Sequence, residues 1–312
     1  MSIFFRIALG LVMMLIVLMV TAVPAAAHGG GTAEDLWHHW SWQDAPLVIL
    51  LGGVYALGLQ SLWKRAGVGS GISRGQAASF AAGWTVLFIA LISPLDALSE
   101  KLFSAHMVQH LLVILIAAPL FVIGRFNLAV AWAFPPRWTS RIWRDWKWKQ
   151  AWRFLTRPMT AFLLHNAAIW VWHMPRLYET SLRSEPLHFL QHTSFFLTAL
   201  LFWQVFAELT AEVSMGRSAR FGLGIFLVFG TMLVSGFLGV LITFSRYVWY
   251  PFYIDATALY GLSALKDQQL AGAIMWVPSG VIYLVVVLSV LGRWLFAVER
   301  IENPSTSSRQ RI

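Results

Sequence analysis

The sequence contains no cysteine. Disulfides, thiolate metal sites and thiol catalysis are therefore excluded. Charge is also scarce: 12% of the 312 residues are Asp, Glu, Lys or Arg, about half of the ~25% usual for a soluble chain. That leaves too little polar surface to cover a water-facing globule of this size. A disordered chain, a nucleic-acid-binding domain and a soluble enzyme are excluded as first readings. Low-complexity tracts, obvious internal repeats and a stretch long and polar enough for a soluble domain are also missing.

What is present is apolar. Hydrophobic residues make up 58% of the chain, including 17 Trp and 22 Phe. Amphipathic rings collect at membrane interfaces. The fold class expected is all-α: a polytopic membrane helix bundle with seven transmembrane helices after an N-terminal signal segment.

Residues 1–27 read as that signal. Arg6 supplies the positive start, Ile7 to Val23 the apolar stretch, and Pro24-Ala25-Ala26-Ala27 a small-residue A-x-A site. The site favours cleavage after Ala27 over an uncleaved anchor. Residues 28–298 then form a single transmembrane helical domain, and 299–312 a short polar cytoplasmic tail. Apolar runs fall at 45–63, 77–93, 105–124, 159–174, 187–209, 220–243 and 270–296. Most approach the ~20 residues a spanning helix needs; the fourth is the shortest.

Charge sets the orientation. With residue 28 outside, seventeen of the 23 Lys and Arg fall on the inner side and five on the outer; Arg6 is the remaining one. This positive-inside bias places the mature N-terminus in the periplasm and the C-terminus in the cytoplasm of a bacterial inner membrane. It also accounts for the net charge of +9 without nucleic acid. The basic, Trp-rich loop 137–157 is expected to lie on anionic headgroups, so membrane lipids are partners.

Histidines gather toward one face. His106 and His110 open the third span, His188 and His192 open the fifth, and His173 closes the fourth, all at the outer end. An H-x-x-x-H pair sets two imidazoles on one helix face, one turn apart. Two such pairs and a third-helix histidine at one depth point to a metal site, because ionisable groups at membrane depth are costly. Against that stands a plain interfacial role, strongest for His188 beside its loop. His165, about 12 Å deeper than His173 along a helix, reads equally as a satisfied core histidine bonded to Asn166 or to a neighbouring helix. Met107 and Met174 adjoin His106 and His173. Thioethers would favour Cu(I), although methionine as core filler is the plainer reading. Asp267, before the last span, is either a candidate ligand or a group orienting a ligand ring, or equally a plain helix N-cap. The loop 244–266 and the glycines of the sixth span are read as aromatic belt and helix packing, or as docking faces.

Several segments resemble the multi-pass CtaG family of bacterial cytochrome c oxidase assembly factors, associated with caa-type oxidases. They are Ser93-Pro94-Leu95-Asp96, His106-Met107-Val108-Gln109-His110, Ala118-Pro119-Leu120, Trp170-Val171-Trp172-His173-Met174-Pro175, His188-Phe189-Leu190-Gln191-His192 and Asp267 through Pro278. The resemblance spans roughly residues 40–296. A single-pass copper chaperone of the same name depends on cysteines, and this chain has none. The resemblance implies a non-enzymatic role in maturing a haem–copper oxidase, with oxidase subunits as partners and copper as the metal handled. By matching position His106, His110, His173, His188 and His192 form the metal-handling set. The short N-terminal segment carrying His28, His38 and His39 departs from the family's pattern and leaves the copper entry route open. The competing readings are a membrane haem or di-metal (iron) oxidoreductase using the same histidines and, third, a metal transporter.

Overall fold

The computed structural model describes residues 40, 42, 44–135, 145–211 and 218–302, with residues 218 and 296–302 described by backbone only. The expected signal segment, its cleavage site, His28, His38, His39, most of the 299–312 tail and the first part of the basic loop lie outside the described residues. Among the described residues every regular element is helical.

Helices α1 (Ala45–Ala66) and α2 (Arg74–Ile92) are followed by a short α3 (Pro94–Ser99). Next come α4 (Phe103–Leu111), a π-helical turn pair (Leu112–Ala117) and α5 (Ala118–Ile123), which together form one continuous rod. Then come α6 (Phe126–Ala133), α7 (Trp146–Leu155), α8 (Pro158–Trp172), α9 (Pro175–Leu182), α10 (Glu185–Thr210), α11 (Ser218–Thr243), α12 (Ile254–Ala258) and α13 (Ala264–Glu302).

Six of these are long and apolar enough to cross a membrane: α1, α2, the Phe103–Ile123 rod, α10, and the apolar parts of α11 and α13. The remaining expected span is α8, with 15 residues. At 1.5 Å per residue it reaches about 22 Å, short of a ~30 Å hydrocarbon core. Pro158 opens it, and Pro175 follows its end two residues beyond His173.

Local chemistry sets the boundaries. Ser73 and Gln76 form a reciprocal capping box at the start of α2, Gln76 N donating to Ser73 Oγ and Ser73 N to Gln76 Oε1. Gly58 lets α6 lie directly on α1: a Cβ there would sit 1.9 Å from the Ala129 carbonyl oxygen. Gly272 does the same between α13 and α11, where a Cβ would meet Thr243 N at 2.5 Å. The helix-packing reading of the sixth-span glycines thus holds at Gly239, whose carbonyl faces Gly272, and at Gly224 against Thr210.

The rod of α4 and α5 is the centre of the bundle. Of its most apolar 18-residue window, 78% is buried, more than for the other candidate spans. Beyond His110 it is hydrophobic on all sides, as a helix ringed by other helices should be. Pro119 lies two residues past the π-helical stretch in its middle. Pro119 has no N–H. In a π register the partner of Ile114 O would be residue 119, so that carbonyl is left without a backbone donor. Trp203 Nε1 on α10 fills the gap, donating to Ile114 O at 2.9 Å. The chain's own proline therefore creates a buried acceptor that a tryptophan from another helix satisfies. The outer surfaces of α10, α11 and α13 expose Leu197, Phe226, Phe229, Leu233, Leu284 and Leu288, the apolar exterior of a membrane protein.

The reading of loop 244–266 as a belt or contact surface needs correction. Tyr247 is exposed, but Tyr250 and Tyr253 are buried. They fold inward over the ends of α4 and α9.

Candidate metal centre

The N-terminal ends of α4 and α10 pack so that the two histidine pairs face each other. The His106 ring lies 4.2 Å from His110 and 4.3 Å separates His188 from His192, centroid to centroid. Across the helices, His106 stands 5.6 Å from His188 and 6.0 Å from His192, and His110 stands 5.4 Å from His192. His173, at the end of α8, approaches from the side, its ring 6.2 Å from His110. All five imidazoles are buried.

One ligand nitrogen each from His106, His188 and His192 can be chosen so that all lie within 4.8 Å of one another. Ligands of a tetrahedral ion at ~2.0 Å stand about 3.3 Å apart, so the rings need to draw in by roughly 1 Å to share an ion. The nitrogens are available for it. Both nitrogens of His106, both of His110, Nε2 of His188 and Nε2 of His192 are buried without a hydrogen-bond partner among the described residues. A buried polar atom left unpaired costs about 1–3 kcal/mol.

The cluster is held from behind. Asp44, just before α1, sets Oδ2 3.0 Å from His192 Nδ1. The carboxylate accepts the Nδ1 proton, so the bare Nε2 is the atom presented to the cluster. Sequence reasoning missed Asp44, which follows no motif. The role of orienting a ring, offered to Asp267, belongs to Asp44 instead. Asp267 Oδ2 accepts from Phe103 N at 2.7 Å; its Oδ1 accepts from Ser104 N at 3.3 Å and Ser104 Oγ at 2.5 Å. Leu102, the residue before α4, has no side chain able to cap it. Asp267 is thus an N-cap as expected, but for α4 rather than for its own helix. Its negative charge sits favourably at the helix N-terminus.

Two glutamines were also overlooked, and the signal for them was the shared H-x-x-Q-H form of both pairs. Gln109 Nε2 donates to Ala90 O at 2.8 Å and to Asp96 Oδ1 at 2.5 Å, tying α4 to α2 and α3. Gln191 Oε1 accepts from Ser181 Oγ at 3.1 Å on α9. Each fixes the rotation of the helix that carries its histidine pair.

Tyrosines close this end of the bundle over the cluster. Tyr253 O–H donates to Ser99 O at 3.1 Å, so the 2.7 Å contact between Tyr178 and Tyr253 has Tyr178 as donor. Tyr250 O–H donates to His173 O at 2.8 Å. The Tyr178 ring stands edge-on to His106 at 5.2 Å. Burial holds the Tyr178 and Tyr253 phenols well above their usual range, so both stay protonated.

The remaining candidates separate. His165 Nδ1 meets Thr198 Oγ1 of α10 at 3.3 Å and its ring stacks on Phe202, away from the cluster. Its partner is thus the neighbouring helix; Asn166 turns instead to Thr231 and to Phe162 O. Met174 is exposed, while Met107 is buried with its sulfur 3.5 Å from His173 Nε2.

An all-helical bundle with apolar outer faces and five convergent buried imidazoles defines a membrane protein with a candidate metal centre. The family model described as cytochrome c oxidase caa3 assembly factor (Caa3_CtaG) matches residues 53–296, and the chain belongs to that family. Among curated proteins it is similar to an uncharacterized protein of Mycobacterium bovis, 26% identical over 269 residues, covering 83% of this chain and 39% of that one. A Mycobacterium tuberculosis protein matches equally. One from Mycobacterium leprae is 24% identical over 230 residues, covering 70% of this chain and 34% of that one. The chain therefore spans under two fifths of the length of these relatives. No solved structure matches.

Proposed function

We propose that this protein handles copper for the assembly of a haem–copper cytochrome c oxidase, carrying the ion as cargo on His106, His188 and His192. His192 is pre-set by Asp44. The observation that carries the reading is the convergence of partnerless, buried ring nitrogens from two helices. Imidazole is a ligand for copper, and an all-nitrogen trio without acidic ligands disfavours magnesium and calcium.

In this reading α8 completes a seven-span topology with the histidine ends at the periplasmic face, after removal of residues 1–27. Helix α7 lies along the inner surface: Trp146, Trp148 and Trp152 are exposed beside Lys147, Lys149 and Arg153. Oxidase subunits receive the ion. A haem clamp between His110 and His192 is disfavoured, because the cavity beside His110 is only about 30 Å³, far too small for a porphyrin, and His192 does not line it.

The test is metal analysis of the purified protein loaded with Cu(I) or Cu(II). The wild type should retain copper after gel filtration, and the paired substitution His106→Ala with His192→Ala should retain less. Equal retention by both, or none by the wild type, would overturn the reading. A Soret absorption band would favour haem instead.

A further inference from the structure

His173 and Met107 are placed in a way that hydrogen bonding alone does not explain. His173 Nδ1 lies 2.6 Å from Ile169 O. A carbonyl oxygen only accepts, so Nδ1 carries the proton and Nε2 of the neutral ring carries a bare lone pair. That lone pair faces Met107 Sδ at 3.5 Å. A thioether sulfur has no proton to give. Two lone-pair donors thus point at each other with nothing between them.

The separation matches a shared ion. A tetrahedral metal with nitrogen at ~2.0 Å and sulfur at ~2.3 Å holds the two about 3.5 Å apart. A cavity of about 30 Å³ adjoins the pair, and its lining includes His110 and Met275 as well as Met107 and His173. Neither nitrogen of His110 has a partner among the described residues. The rest of the lining is mainly apolar, including Leu111, Ile114 and Ile169, with Ser235, Ser279 and Tyr283 beside them. Both methionines are buried.

We propose that Met107, His110 and His173, with Met275 as the fourth ligand, form a second metal site selective for Cu(I), one ring deeper than the His106–His188–His192 trio. Thioethers select Cu(I) over Zn(II) and Cu(II), and an apolar lining favours the ion of lower charge. Its neighbour on the same helix, His106, belongs to the outer trio. Movement of Cu(I) between the two sites would be ligand exchange through His110, with no change of oxidation state. The inference rests on the copper-handling reading above and assigns that function a second, softer site.

X-ray absorption at the copper edge tests it, on the full chain loaded anaerobically with excess Cu(I), with bound copper counted against a Cu(I) chelator. The wild type should hold about two equivalents and show sulfur scatterers at ~2.3 Å beside nitrogen. Met107→Leu, which conserves volume, should remove the sulfur signal and about one equivalent while the nitrogen-ligated copper stays. Conversely, His188→Ala should keep the sulfur-ligated ion. Copper bound by nitrogen alone in the wild type would overturn the second site and leave the trio standing. No copper at all would overturn both. Sulfur scattering that persists in the double variant Met107→Leu with Met275→Leu would also overturn the assignment.

Discussion

Asp44 and His192 are 148 residues apart in sequence and meet at 3.0 Å between Oδ2 and Nδ1. The contact ties the segment before α1 to the helix that carries the second histidine pair. It fixes the His192 tautomer, and through it which nitrogen is free for an ion. Carboxylate–imidazole pairs of this kind raise ligand basicity and hold ring orientation.

Asp44→Asn keeps the shape and removes the charge. Copper affinity should fall roughly 10- to 100-fold, measured by chelator competition, with little change in thermal stability. Unchanged affinity would show that His192 needs no carboxylate.

Asp267→Asn should behave oppositely. It weakens the cap on α4, where Phe103 N, Ser104 N and Ser104 Oγ all donate to the carboxylate. The cost is on the order of 1–3 kcal/mol of stability, read as a lower unfolding temperature in detergent. Affinity per folded molecule should stay close to wild type. A large loss of affinity at unchanged stability would instead place Asp267 at the metal.

Trp203→Phe leaves Ile114 O unpaired in the π-helical stretch, since residue 119 is proline. Destabilisation of about 1–3 kcal/mol is expected, again by thermal unfolding. Adding Pro119→Ala should recover part of it by restoring a backbone donor. No recovery would count against the proline as the reason Ile114 O lacks a backbone donor.

Orientation is tested with reporter fusions. Those after Ser99 and Ser184 should report the periplasm, and those after Gly71 and Trp146 the cytoplasm. The reverse pattern would move the histidine ends to the other face.

Much of this arrangement was legible in the sequence because it follows helical period and membrane length. The i, i+4 spacing of His106 with His110 and of His188 with His192 fixed a common face, and the apolar runs fixed a common depth. Those two facts bring the pairs together once α4 and α10 pack at their N-terminal ends. What escaped reading has no period. Asp44 sits in irregular chain before α1. Tyr250 and Tyr253 sit in a loop whose composition suits an interface belt equally well. Asp267 was read as a cap, yet the helix it caps begins 164 residues away from it. Met107 looked like core filler because it does not share a face with His106; it faces His173 across from another helix. The fourth apolar run gave a helix, but proline and arginine at its start hold it to 15 residues.

The most direct test of copper handling is complementation at limiting copper. In a strain lacking this protein, the wild-type chain should restore haem–copper oxidase activity, and added copper should restore part of it without any chain. His192→Ala and His106→Ala, present in the membrane at wild-type amounts, should fail at low copper. Full restoration of oxidase activity by both variants at low copper would contradict a role for the histidine cluster.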